Sequence, residues 1–244
     1  MFLFAPNAHG DLIFADSFDY LKGDLAGNGP PPGSPPGQVV WQTFNLAPQV
    51  ASFGLEFGGI LSLGKSAALL GLPSTNGDKA VAALGPVTAN DGTVWVAFLI
   101  RKALAPRSPG GYAVVSLGNN VTPSVGIGML FQKDRYGLDN NTGAQGARVR
   151  TAVAPSRETV WLVTKLDFEN GKEFLWVNPS PALEPEIVDA YENSMTAAFM
   201  AAGFSEIVLV IGYTEATFQF DELRVGTTFA DVVNPEVADR LTPR

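Results

Sequence analysis

Hydrolysis of a glycosidic bond needs two carboxylates, one on each side of the bond. The acidic groupings nearest to that arrangement are Asp167 with Glu169, Glu184 with Glu186, and Asp221 with Glu222. Asp167 and Glu169 share a strand face, but they sit at the tip of an expected hairpin, where a solvated rim accounts for them. Asp221 and Glu222 are adjacent, so in a regular strand they point to opposite faces. The chain therefore reads as non-enzymatic. Nucleophilic chemistry is no better supplied, because there is no Cys and one His, His9, near the N-terminus. Ser-His-Asp and Cys-His arrangements need a placed imidazole, and His9 reads as a surface residue.

Calcium takes six to eight hard oxygen ligands. Asp16, Asp19 and Asp221 would supply carboxylates to a structural calcium if the first and last strands lie side by side. Asp134, Asp139, Asn140 and Asn141 offer a second, looped set. The competing reading is that Asp and Asn in turns bond the nearby backbone. Sugar recognition uses aromatic faces ringed by polar groups. Of the four tryptophans, Trp95 belongs to a strand apolar on both sides and reads as core. Trp161, Lys165, Phe174 and Trp176 share one face of a hairpin and are the candidate ligand-binding residues. Lys165 is placed to make a cation–π contact there. The alternative is that the Pro-rich loop or the helix expected over Ser194–Ala202 covers this face and makes it a small second cluster.

That hairpin is the stretch Thr159 to Pro179, TVWLVTKLDFENGKEFLWVNP. Asn170-Gly171 signals a two-residue type I′ turn, which pairs Lys165 with Trp176 and Asp167 with Phe174. Alternation then puts Leu162, Thr164, Leu166, Phe168, Leu175 and Val177 on one face and the aromatic–charged set on the other. Further strands are expected at 11–20, 39–46, 93–102, 112–117, 125–132, 147–152, 206–212 and 217–225, with a glycine-interrupted strand or strand pair at 55–63; Lys79–Leu84 is a short apolar run. Thr93 to Lys102 is apolar on both faces, as a central, doubly covered strand should be. Ser66–Leu72 reads as one helical turn. Ser194–Ala202 reads as a helix capped by Asn193 or Ser194 and closed by Gly203. Gly27–Gly37, GNGPPPGSPPG, reads as a long surface loop.

The chain has 244 residues, of which 16% are charged and 46% hydrophobic, with 26 Gly and 18 Pro. This is the composition of a turn-rich folded domain. Short strands at regular spacing, without helices between them, predict a sandwich rather than a parallel α/β fold. We expect one domain over 1–230 and a C-terminal tail over 231–244. The net charge of −8 comes without basic clusters, which speaks against nucleic acid and anionic membrane as partners. No run reaches the roughly 18 apolar residues of a membrane-inserted helix. Phe2 to Ala8 resembles the end of a signal peptide but lacks a basic region before it.

Four stretches together resemble the concanavalin A-like lectin/glucanase superfamily in its LamG-like branch, as found in exported bacterial proteins of the PEP-CTERM and planctomycete types. They are FADSFDYLKGDLAG (Phe14–Gly27), VWVAFLIRK (Val94–Lys102), LVTKLDFENGKEFLWVNPSP (Leu162–Pro181) and FDELRVGTTFADV (Phe220–Val232). The resemblance implies an all-β, antiparallel two-sheet jelly-roll sandwich with one or two short helices and with its first and last strands adjacent. It implies extracellular or surface use through carbohydrate or protein contacts. The E-x-D-x-x-E pattern of the superfamily's glucanases is missing, as are the anchor helix and basic cluster of PEP-CTERM proteins. The expected function is a non-catalytic binding module for carbohydrate or glycoconjugate. The alternative is an assembly or decoration protein of a virion or cell envelope, acting through protein contacts and open to homo-oligomerisation.

Overall fold

The computed structural model describes residues 10–29, 40–60, 62, 64–72, 76–104, 110–119, 124–131, 134–140 and 147–233. His9, Asn141, most of the Pro-rich loop and the end of the tail lie outside them. In chain order the described elements are β1 (Leu12–Asp16), β2 (Gly23–Asp24), β3 (Gln42–Phe44), β4 (Gln49–Val50), β5 (Ala67–Leu70), β6 (Asn76–Val87), β7 (Thr93–Leu104), β8 (Tyr112–Gly118), β9 (Val125–Met129), β10 (Tyr136–Asp139) and β11 (Arg148–Arg150). There follow β12 (Val160–Asp167), β13 (Lys172–Val177), β14 (Tyr191–Ser194), α1 (Ala197–Ala202), β15 (Phe204–Gly212), β16 (Thr217–Gly226) and α2 (Phe229–Val232). They build an antiparallel two-sheet β-sandwich with two short helices. One sheet runs β14-β13-β12-β7-β16-β5-β4-β2, and the other runs β11-β10-β9-β8-β15-β6-β3. β1 pairs with β16, so the first and last strands are neighbours.

β7 lies between β12 and β16, which is where its two apolar faces belong. Val94, Val96, Phe98 and Ile100 point into the main core between the sheets. Trp95, Ala97 and Leu99 point the other way, into a second cluster on the outer face. β16 serves both clusters by means of a bulge. The pairing register with β7 shifts between Asp221 and Arg224, and Glu222 has φ 45°. An extra residue in one strand reverses the alternation, so Phe218 and Phe220 before it and Leu223 and Val225 after it all reach the main core.

The hairpin differs from the two-residue turn predicted for it. Asp167 pairs with Lys172 and Lys165 with Phe174, so the strands close through a four-residue turn. Gly171 alone of Asn170 and Gly171 takes the left-handed conformation, at φ 65°. Asn170 instead donates from its backbone N and its Nδ2 to the Asp167 carboxylate, at 3.0 and 2.8 Å. The predicted register is off by two residues, an even slip that leaves every side chain on its predicted face.

Three further expectations change. Residues 67–70 are a strand, β5, paired with β16 rather than a helical turn. Residues 55–60 are a loop held by a single Phe57–Ile60 bridge. The helix begins at Ala197 with Thr196 as its cap, the Thr196 hydroxyl accepting from the Phe199 amide at 3.1 Å. Ser194, expected in that helix, closes β14. Packing also continues beyond residue 230, because Val232 and Val233 are buried under the outer face.

Candidate ligand-binding rim

The predicted aromatic face is closed. Trp161, Trp176 and Phe174 are 2%, 3% and 6% exposed. Their cover is not α1, whose Phe199 packs in the main core; most of the Pro-rich loop lies outside the described residues. Leu55 and Ile60 from the 55–60 loop and Phe229, Val232 and Val233 from α2 and its end cover them. Trp95 stacks on Trp176 at 5.6 Å, and Phe229 meets Trp95 edge-on at 5.4 Å. Lys165 does make a cation–π contact, but its Nζ lies 5.3 Å from the Trp95 ring. The register places Val163, not Lys165, opposite Trp176. A sugar cannot reach these rings without displacing α2, so Trp161, Phe174 and Trp176 are scaffold, with Lys165 at the edge. The loop is itself fastened from below: the Leu55 amide donates to Asp221 at 2.7 Å, and the Ser66 hydroxyl donates to the Phe53 carbonyl at 2.9 Å.

The carboxylates expected at calcium are not gathered either. Asp16 pairs with Leu223 on the main-core face. Asp221 pairs with Leu99 on the outer face. They lie on opposite sides of one sheet. Asp16 accepts from the Tyr20 hydroxyl, the Trp41 indole and the Phe18 amide, at 2.6, 2.7 and 2.7 Å. Asp19 is exposed and pairs with Lys65 at 3.7 Å. In the second set, Asp134 and Asp139 flank the length of β10. Asp134 accepts from the Gly110 amide at 3.1 Å, and Asp139 is bound by Arg148 at 2.6 Å. Asn140 donates to the Ser194 carbonyl and accepts from the Ala147 amide. Among the described residues no three acidic or His side chains form a metal-holding group.

Two buried carboxyls stand out. Burial pushes Asp221 up to about 8, with the neighbouring Glu222 adding to the rise and its hydrogen bonds opposing it. Burial pushes Glu173 up to about 7, opposed by the Asn193 amide and reinforced by Asp139. Glu173 lies on the core face of β13, opposite Leu166, and is 0% exposed. Asn193 donates to its Oε2 at 3.1 Å, while its Oε1 has no partner. Both carboxyls are fully buried, and neither lines the open groove described below.

Among the described residues, one rim of the second sheet is open. Antiparallel pairing brings the start of β8, the end of β9, the start of β10, the end of β11 and the end of β15 to the same side. From β15 to β11 this is four inter-strand spacings, roughly 19 Å. At the β15 end, Tyr112, Phe131 and Tyr213 form a ring cluster with centroids 5.3–6.3 Å apart. Tyr213 is 43% exposed. It holds φ 53°, a conformation that costs a non-glycine residue on the order of 1 kcal/mol and collects at functional sites. Burial, with Tyr213 beside it, pushes the Tyr112 phenol up to about 12, so it stays a hydrogen-bond donor at any physiological pH. At the β11 end an open groove of about 560 Å³ is lined by Asp134, Arg135, Arg150, Thr151, Ala152 and Tyr191. The Gly110–Asp134 hydrogen bond ties the two ends together.

None of these rim residues except Asp134 was marked by the sequence. Tyr112, Phe131 and Tyr213 are far apart in the chain and meet through β8, β9 and β15. The turn chemistry of KDRYGLDNNTG and the R-V-R alternation at Arg148–Arg150 were the available signals.

No protein-family model and no curated protein sequence matches the chain. Solved structures share its fold. The conserved carbohydrate esterase of Shiga toxin-encoding bacteriophage phi24B is 13% identical with a TM-score of 0.51, over 76% of this chain and 89% of that one. The binding domain of botulinum neurotoxin DC, in complex with SialylT, is 11% identical with a TM-score of 0.52, over 98% of this chain and 53% of that one. A structure of botulinum neurotoxin type C, whose cell entry depends on interaction with two ganglioside molecules, is 10% identical with a TM-score of 0.53, over 96% and 52%. The chain spans about half the length of these toxin structures, and at such identities the likeness is one of fold.

Proposed function

We propose that this domain is a non-catalytic carbohydrate-binding module of the concanavalin A-like, LamG-like kind, working outside the cell or on a cell or particle surface, with its ligand on the rim. The observation that carries the reading is the Tyr112–Phe131–Tyr213 cluster beside the 134–152 groove. Aromatic rings stack on the apolar faces of sugars, and the phenols, guanidinia and exposed backbone bond hydroxyls. The toxin domains and the phage esterase, which share the sandwich, are themselves described with gangliosides, SialylT or carbohydrate. The non-catalytic half of the reading rests on the acids. Among the described residues the groove is lined by one carboxylate, Asp134, and its Oδ1 already accepts from Gly110, whereas hydrolysis of a glycoside takes two.

The test is a glycan array with the purified wild type and Tyr213→Ala. Selective binding that the variant loses while keeping its fold supports the reading. Binding to no glycan, or binding indifferent to Tyr213, contradicts it. Release of acetate from acetylated sugars would overturn the non-catalytic half. A second reading, an assembly protein using protein contacts, is favoured by one observation. The segment between β13 and β14 exposes Leu183, Ile187 and Val188, the last at 82%. A stable oligomer in solution that Val188→Asp disperses would favour it.

A further inference from the structure

We infer that the groove end of the rim selects sugars carrying a carboxylate, such as uronic or sialic acids. The inference rests on the proposed carbohydrate reading and adds the ligand's charge. Arg135 and Arg150 both line the groove. Arg150 sits across the strand pair from Gly137, so no side chain opposes it there. Among the described residues no hydrogen bond or ion pair engages the Arg150 guanidinium. Arg135 donates from Nη1 to the carbonyl of its neighbour Asp134 at 2.7 Å, and its other donors have no partner among the described residues. Arg148, two residues before Arg150, shows the contrast, because it is committed to Asp139 at 2.6 Å.

In a chain of net charge −8, this groove is lined by two arginines that have no ion-pair partner among the described residues. A guanidinium presents its donors in a planar fork that matches a carboxylate in two bonds at once. Asp134 is the one carboxylate among the described lining residues, and it forms no ion pair with Arg150 or Arg135 among the described residues. Tyr191 closes one wall, its hydroxyl oxygen accepting from the Ala152 amide at 3.4 Å while its ring packs against the main core. The volume of about 560 Å³ admits a monosaccharide unit with its exocyclic carboxylate. The aromatic cluster at the other end of the rim would then hold the neutral sugars of the same chain.

The experiment is a calorimetric titration of the domain with a uronate-terminated oligosaccharide and with the same oligosaccharide as its methyl ester. It is run on wild type, Arg150→Gln, Arg135→Gln and Tyr213→Ala, at low and high salt. The acid should bind about tenfold to a hundredfold more tightly than the ester, the span expected of a charge-assisted pair of hydrogen bonds. Arg150→Gln and Arg135→Gln should remove that preference, leave ester binding in place, and flatten the salt dependence. Tyr213→Ala should weaken acid and ester alike. Equal binding of acid and ester overturns the carboxylate inference and leaves the carbohydrate reading standing. Binding of neither sugar by a folded protein overturns both. The arginines are at the surface, so circular dichroism of the two Gln variants should be native.

Discussion

Replacing Glu173 with Gln should stabilise the protein at pH 8 and do so far less at pH 5. The carboxyl is fully buried, with one oxygen unpartnered, and its pKa rises from an ordinary 4.5 to about 7. A group that binds its proton more tightly folded than unfolded favours folding while it is protonated. Its stabilisation is complete below about pH 4.5 and is lost as pH climbs through 7. At 1.36 kcal/mol per pH unit the loss amounts to roughly 3 kcal/mol. Gln keeps an acceptor for Asn193 and carries no charge at any pH. Urea unfolding at pH 5, 6, 7 and 8, followed by tryptophan fluorescence, gives both stabilities directly. The gap between Glu173→Gln and wild type should open with pH to about 3 kcal/mol. Asp221, also raised by burial, acts in the same sense in both proteins, so some slope remains in the variant. Parallel curves for the two proteins from pH 5 to 8 would refute the assignment of the slope to Glu173.

Phe229→Ala should cost about 3–5 kcal/mol by opening the cover over Trp95 and Trp161, measurable as a fall in unfolding midpoint together with a change in tryptophan emission. Gly171→Ala should cost about 1 kcal/mol or more in urea unfolding, because the added Cβ takes φ 65° and lands 2.9 Å from the Met200 sulfur. Chelator should leave the unfolding midpoint of the purified protein unchanged, since the Asp16 carboxylate is already filled by Tyr20, Trp41 and Phe18; a drop on adding EDTA that calcium restores would contradict this.

The fold was legible wherever burial and alternation agree. The doubly apolar run from Val94 to Ile100 announced the central strand, and the hairpin's two faces survived an error in its turn. That error came from reading Asn-Gly as sufficient. Asp167 captures Asn170 through two hydrogen bonds, and the turn lengthens around them. β14 escaped notice because YENS carries no apolar alternation: it is an edge strand held by pairing with β13. β5 was misread because AALL has helix propensity, which its pairing with β16 overrides.

The site was less legible, for a physical reason. Trp161, Phe174 and Trp176 share a face, but whether a face is open depends on what packs over it, and Phe229, Val232 and Val233 come from a segment read as closing strand and tail. The rim had the opposite difficulty. Its rings come from three separate strand ends, and only the sheet's register brings them together. Asp221 and Glu222 were expected on opposite faces; a bulge at Glu222 interrupts the alternation there, and both are buried.

The measurement that bears most directly on the proposed rim is an amide chemical-shift titration of the labelled protein with the uronate-terminated oligosaccharide. The account predicts saturable shifts at residues 110–112, 130–131, 134–135, 150–152 and 212–214, with the indole signals of Trp161 and Trp176 unmoved. Shifts centred on residues 183–190, movement of those indoles, or no shift at millimolar sugar would contradict it.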